Sequence, residues 1–261
     1  MNNEQLFYLD FTKTRYMFEP IDGCAFCCPY CSAFTGSKDI KSWKQWSKPK
    51  IKPVYEKQVV KEFTSVNKQP PIKLDFVMVC GTSDAFQSEE AKEVTLKSID
   101  ILNNVLHLYT RVLTKGEVPK ELCNFPKNQI GITITSITML DKNIKNGNLK
   151  VLETLNQAGI YTIVALQPFD LTTTDEQLHT LLNKLKFIDQ LTFGVLNKEP
   201  SSNFTRAFTI SDIVASFCFE NKINFFNGSP RFNKANKKRL AKLEVTTPIW
   251  YGDNISLANL G

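Results

Sequence analysis

The chain has 261 residues, of which 42% are apolar and 22% charged, with a formal net charge of +6. That balance excludes a disordered chain, a collagen and a small disulfide scaffold, because there is enough apolar side chain to bury a core without staples. Length alone allows one large α/β domain or two small ones.

From the N-terminus, MNNEQLFYLDFTKTRYMF has no basic run followed by an apolar core and a small-residue cleavage site, so no secretory signal is expected. No window approaches the ~20 apolar residues of a membrane helix. The expectation is a soluble cytoplasmic protein with no membrane partner, in which clustered thiols mean metal or catalysis rather than disulfides. The first strand candidate, Arg15 to Ile21, leads into GCAFCCPYCSAF (Gly23 to Phe34), which holds four of the seven cysteines.

Thr35 to Pro53 then reads as an insertion, rich in Lys38, Lys41, Lys44, Lys48, Lys50 and Lys52 and bearing Trp43 and Trp46. Strand candidates follow at Leu74 to Cys80, Leu106 to Thr114, Gln129 to Thr138, Tyr161 to Gln167 and Gln190 to Leu196, with Ile223 to Phe226 as a possible last one. Helical patterns alternate with them at Val54 to Val66, Glu89 to Leu102, Asn148 to Ala158, Asp175 to Leu185 and Ser211 to Asn221, and a shorter one at Val118 to Asn124. Ser88 and Thr174, each followed by two acids, mark helix starts, and Gly159 marks a stop.

Strands such as VMVC, GITIT and IVAL lack polar alternation, as strands covered on both faces do. Six βα repeats in one direction predict an α/β fold with a parallel sheet. A closed eight-fold barrel usually needs ~250 residues and eight units, so a partial (β/α)6 TIM-type barrel is expected. The chain reads as a single domain, 1–261, with the basic and aromatic insertion at 35–53 and a basic C-terminal segment at 229–261. That segment holds Arg231, Lys234, Lys237, Lys238, Arg239 and Lys242. Basic residues interleaved with aromatics suit a phosphate backbone with base stacking, and equally a solvated lysine-rich surface.

The cysteine loop follows the first strand, so it sits at a C-terminal strand end, where parallel α/β proteins build their sites. Cys24, Cys28 and Cys31 form C-x3-C-x2-C, and Cys24, Cys27 and Cys31 form C-x2-C-x3-C. Three thiolates of one short loop suit three irons of a [4Fe-4S] cluster. Structural zinc requires two knuckles from separate segments, whereas here the two C-x2-C pairs abut. A redox C-x2-C disulfide and buried unliganded thiols remain as alternatives.

C-x3-C-x-Y-C after the first strand resembles the radical S-adenosylmethionine (SAM) enzymes. The resemblance implies Cys24, Cys28 and Cys31 as cluster ligands, Tyr30 as the aromatic beside the SAM adenine, and Cys27 as an extra thiol. In that superfamily SAM chelates the open iron, and reductive cleavage gives a 5'-deoxyadenosyl radical that abstracts hydrogen from the substrate. An electron donor such as flavodoxin or ferredoxin is then a partner.

Phe76 to Glu90, FVMVCGTSDAFQSEE, resembles the spore photoproduct lyase branch, whose turn reads like T-D-x-Y-Q-x-x-E or C-T-S-D. This implies that Ser83 and Asp84 contact SAM, with Lys115 of the Thr-Lys pair on its carboxylate and Ser136 on the fourth strand. LETLNQAGIYTIV, from Leu152 to Val164, matches a passage common to the group, so the resemblance spans about residues 15 to 170.

Cys80, which stands before Ser83 and Asp84 with one residue more than C-T-S-D, is the candidate hydrogen-atom donor. Its alternative is a buried strand-terminal thiol. Ser32 departs from the branch, which has a tyrosine after the last cysteine, and Phe193 and Gly194 match a position near adenine.

The implied function is reductive SAM cleavage with hydrogen abstraction from a substrate, a nucleic-acid base being the first candidate. A small metabolite or peptide substrate is the alternative, and a non-catalytic zinc-stabilised nucleic-acid-binding module is the reading from another class.

Overall fold

In this computed structural model the described residues are 5–10, 13–31, 33–34, 43–68, 76–196, 200–227, 232, 234–236 and 239. The chain divides into two compact units. The first runs up to Gly131 and adds Gln157–Tyr161; the second comprises Ile132–Asn156 and the chain from Thr162.

The first unit starts with β1 (Phe7–Leu9), paired antiparallel with β2 (Tyr16–Phe18), and β2 pairs in parallel with β5 (Val77–Val79). β5 pairs in parallel with β6 (Thr110–Thr114), so the strand order is β1-β2-β5-β6. A two-stranded ribbon, β3 (Ile21–Asp22) with β4 (Lys50–Ile51), brackets the cysteine loop, with the short helix α1 (Trp43–Trp46) before β4.

Helix α2 (Glu56–Val66) supports β1 through a side chain. Glu62 accepts hydrogen bonds from the Leu6 and Phe7 amides, each at 2.9 Å. Phe7, Tyr16 and Phe63 interlock with ring centroids 5.1 to 5.7 Å apart. Helix α3 (Glu89–Asp100) begins as the sequence predicts, with the Ser88 hydroxyl accepting from the Ala91 amide at 3.2 Å.

β7 (Asn128–Thr133) carries the chain into the second unit. There α4 (Ile137–Lys145) and α5 (Asn148–Gln157) precede β8 (Tyr161–Leu166). α6 (Asp175–Asn183), β9 (Gln190–Phe193), α7 (Phe204–Glu220) and β10 (Asn224–Asn227) follow, with β8, β9 and β10 paired in parallel in that order. Thr174 forms a full capping box with Gln177, closing the start of α6.

The α/β class with mainly parallel strands is as expected, and the bounds differ in four informative places. The strand expected at Gln129 to Thr138 ends at Thr133, because Ser136 caps a helix that the β-branched Ile137 and Thr138 disguise. The strand expected from Leu106 begins at Thr110, after a π-helical turn at Ile101–Val105 and a left-handed His107. α7 starts at Phe204, before the expected Ser211, because it is apolar nearly all round and shows weak helical periodicity. β1, only three residues long, gave no periodic signal.

Candidate functional site

The cysteine loop leaves β3 at Gly23, whose φ of +93° is left-handed and whose added Cβ would stand 2.6 Å from the Trp46 carbonyl. Only glycine fits both demands. The same carbonyl accepts the Cys24 amide at 2.9 Å, so α1 and the first cysteine are tied together. Cys27 is also left-handed, at φ +45°, and its thiol donates to the Cys24 carbonyl at 3.4 Å. That bond turns the extra thiol back onto its own loop. The Cys31 amide closes the turn on the Cys28 carbonyl at 2.9 Å.

Cys24, Cys28 and Cys31 are half-buried thiols, and no disulfide is formed by any of the seven cysteines. Burial pushes the Cys24 thiol up to about 11, and the neighbouring charges of Asp84, Cys28 and Cys31 push the same way. A metal that takes a thiolate must displace that proton. Among the described residues no three Cys, His, Asp or Glu side chains converge on a point that would hold one metal ion. A [4Fe-4S] cluster presents its irons at separate corners and so takes thiolates that stand further apart. The donor set fits it: three thiols of one loop, with an ammonium beside them.

That ammonium belongs to Lys115, directly after β6. Its Nζ donates to Cys28 Sγ at 3.1 Å and to the Tyr30 hydroxyl at 3.2 Å, and it lies 4.6 Å from the Tyr30 ring centroid. Burial would lower the lysine's affinity for its proton, but the contacts with Cys28 and Tyr30 outweigh it, and the net shift is upward. Three residues from two separate stretches of sequence are thus brought together in one unit.

Asp84 locks this lysine in place. It is 5% exposed, and its Oδ1 accepts from Thr114 Oγ1 at 2.6 Å and from the Phe86 amide at 3.0 Å. Its Oδ2 accepts from the Lys115 amide at 2.7 Å. Burial raises its pKa against the pull of those donors. Gly116 follows because a Cβ there would stand 2.2 Å from the Phe86 carbonyl.

Ser83 sits one residue earlier with its Oγ buried, near enough to the Cys80 thiol to act on it but without a close hydrogen bond among the described residues. A buried hydroxyl left open in this way suits a polar group of a bound cofactor. Cys80 is 3% exposed and left-handed at φ +55°, with its Sγ 3.8 Å from Thr95 Oγ1 of α3. Burial first, then the charge of Glu19, raises its pKa well above that of an ordinary thiol.

Ser136, in the second unit, accepts from the Met139 amide at 3.3 Å as the cap of α4. Phe193, also in the second unit, is fully buried between Phe169 and Phe232. A Cβ on Gly194 would meet the Gln167 side chain at 2.8 Å. Ser32, Lys38 and Lys41 lie outside the described residues, as do Arg231, Lys237, Lys238 and Lys242.

Sequence reasoning passed over Glu19 and Gln87. Glu19 is 3% exposed, its Oε1 accepts the Thr82 amide at 2.9 Å, and its Oε2 has no partner among the described residues. Burial pushes its carboxyl up to about 7. An acid ending an apolar strand candidate was the available signal. Gln87 was visible only as one letter of the Q-x-x-E turn.

No protein-family model matches the chain, and no curated protein matches it in sequence. Solved structures do match. A point mutant of spore photoproduct lyase superposes with a TM-score of 0.59 at 13% identity, covering 87% of this chain and 79% of that one. Spore photoproduct lyase complexed with dinucleoside spore photoproduct gives 0.57 at 15%, over 80% of this chain and 64% of that one. Streptococcus suis SuiB bound to S-adenosylmethionine gives 0.55 at 12%, over 88% of this chain and 51% of that one.

In fold, α/β with a mainly parallel sheet, the chain matches these partial-barrel structures. It spans less than two thirds of the photoproduct-bound lyase and about half of SuiB, so what is common is the fold. Among the described residues no helix is long and apolar enough to cross a membrane.

Proposed function

We propose that this protein is a radical SAM enzyme, in which Cys24, Cys28 and Cys31 would hold a [4Fe-4S] cluster and SAM would bind beside it. The observation that supports this reading best is Lys115 Nζ, placed at hydrogen-bond distance from both Cys28 and Tyr30. When bound, the cluster and SAM supply one-electron cleavage of a sulfonium and hydrogen abstraction from a substrate. A low-potential donor of the flavodoxin or ferredoxin kind would deliver the electron.

The chain's own residues position these groups. Lys115 offers a fixed cation to the methionine carboxylate, held there by Asp84 through its backbone amide. Ser83 offers an open hydroxyl and Tyr30 an aromatic face toward adenine. Cys80, whose thiol is buried against Thr95, is the candidate hydrogen-atom donor.

A nucleic-acid base is the favoured substrate class. Trp43, 37% exposed, stacks on Phe34 with centroids 3.6 Å apart, and Lys44 and Lys48 beside it are exposed. Stacked aromatics with nearby cations suit bases and their phosphates. The similarity to a lyase complexed with a dinucleoside photoproduct supports the same class.

Anaerobic purification tests the enzyme reading. A brown, air-sensitive protein with about four irons per chain that releases 5'-deoxyadenosine from SAM and dithionite is expected. Colourless protein with one zinc would overturn it. Binding to single-stranded DNA or RNA that weakens steeply with salt is expected for the substrate class. Absence of binding at low salt would instead favour a metabolite or peptide.

A further inference from the structure

We infer that Gln87 is a positioning residue that seats the cysteine loop for its cluster; the inference rests on the radical SAM reading of Cys24, Cys28 and Cys31. The Gln87 side chain lies half-buried in the turn before α3. Its Oε1 accepts the Ala25 amide at 2.6 Å, and its Nε2 donates to the Gly23 carbonyl at 3.4 Å and to the Asp84 carbonyl at 3.0 Å. One amide therefore grips the backbone on both sides of Cys24 and the backbone of Asp84 together.

The contacts form a closed circuit through three loops. From Gln87 the path runs to Asp84, from Asp84 Oδ2 to the Lys115 amide, and from Lys115 Nζ to Cys28 and Tyr30. The cysteine loop is thus held near Cys24 by Gln87 and at Cys28 by Lys115. Gly23 and Cys27 are both left-handed, so the loop's own backbone preference does not enforce this shape. An external clamp is needed to hold the thiols where a cluster can take them. Only a primary amide of this length offers an acceptor and a donor at once: glutamate loses the donor, leucine loses both, and asparagine is one methylene short.

A glutamine that only tidied its own turn would bond to Asp84 and stop there. The Ala25 and Gly23 bonds reach more than 60 positions back along the chain, into the loop that holds the ligands.

The test compares reconstituted wild-type protein with Q87L, Q87E and V59A, the last removing methyls from a fully buried core position on α2 of the same unit. Q87L is expected to lose iron to an anaerobic ferrous chelator about tenfold faster than wild type, the scale of one or two lost hydrogen bonds. Q87E, which keeps the acceptor, should fall between. V59A should melt earlier but release iron at the wild-type rate. In cluster-free protein, the Ala25 amide should exchange hydrogen faster in Q87L than in wild type or V59A.

Wild-type iron release and cluster spectrum in Q87L would overturn the inference alone. Wild-type protein that takes up no iron would overturn the enzyme reading and this inference with it, while the exchange measurement would still report whether Gln87 holds the loop.

Discussion

The two units treat their buried and half-buried polar groups differently. In the second, Asp189 Oδ2 accepts from Asn156 Nδ2, the Thr162 amide and Thr162 Oγ1 at 2.7 to 3.0 Å, joining the end of α5 to the starts of β8 and β9. In the first, Asp84 is as fully engaged, but Glu19 Oε2 and Ser83 Oγ are buried without a close hydrogen bond among the described residues. Cys27 and Cys80 there also take left-handed backbone. An unpartnered atom alone does not mark a site, since Asn103, Asn128 and Trp46 also have one among the described residues. Open polar atoms, positive φ at non-glycine residues and a lysine reaching a thiol coincide in the first unit. That coincidence separates a site from scaffold.

Substitutions can break this contrast. The largest effect is expected for Cys28→Ala, which should abolish both cluster uptake and 5'-deoxyadenosine formation, measured by iron content and product assay. Asp84→Ala and Asp189→Ala make the sharper pair. Each removes three hydrogen bonds from buried or half-buried donors and should cost about 3 kcal/mol in urea unfolding. Only Asp84→Ala should also raise the KM for SAM, because it frees Lys115; an unchanged KM would reduce Asp84 to scaffold.

Glu19→Gln tests the buried acid. The folded pKa of about 7 lies above the ordinary value of 4.5, so the native state holds the proton more tightly than the unfolded chain. Stability contributed by this group is full below pH 4.5 and is lost as the pH rises to about 7, by up to roughly 3 kcal/mol. Glu19→Gln should flatten that slope, read from unfolding between pH 5 and 8. The smallest effect is expected for Ser136→Ala, about 1 kcal/mol for the lost cap of α4. A KM for SAM that also rose would show Ser136 acting on the cofactor besides capping its helix.

Much of this site was legible in the chain. Cys24, Cys28 and Cys31 stand out by their spacing, and Tyr30, Ser83, Asp84 and Lys115 by their resemblance to short family motifs, and both kinds of pattern are local. The capped helices at Ser88 and Thr174 were legible for the same reason, since a cap and its acids lie within one turn. The start of α4 was hidden, because Ile137 and Thr138 favour a strand and only the Ser136 cap argues otherwise. Glu19 and Gln87 were hidden more deeply: their partners Thr82 and Ala25 lie 63 and 62 positions away.

By itself the sequence determined the βα alternation, the cysteine spacing and the order of the candidate site's parts, all consequences of patterns a few residues long. Only the tertiary structure decided which groups meet: that Asp84 grips the Lys115 backbone, that Lys115 reaches Cys28, that Cys80 turns toward Thr95, and that Gln87 clamps the loop. The physical reason is that a hydrogen bond depends on distance and angle across packed strands, and no periodicity along the chain encodes either.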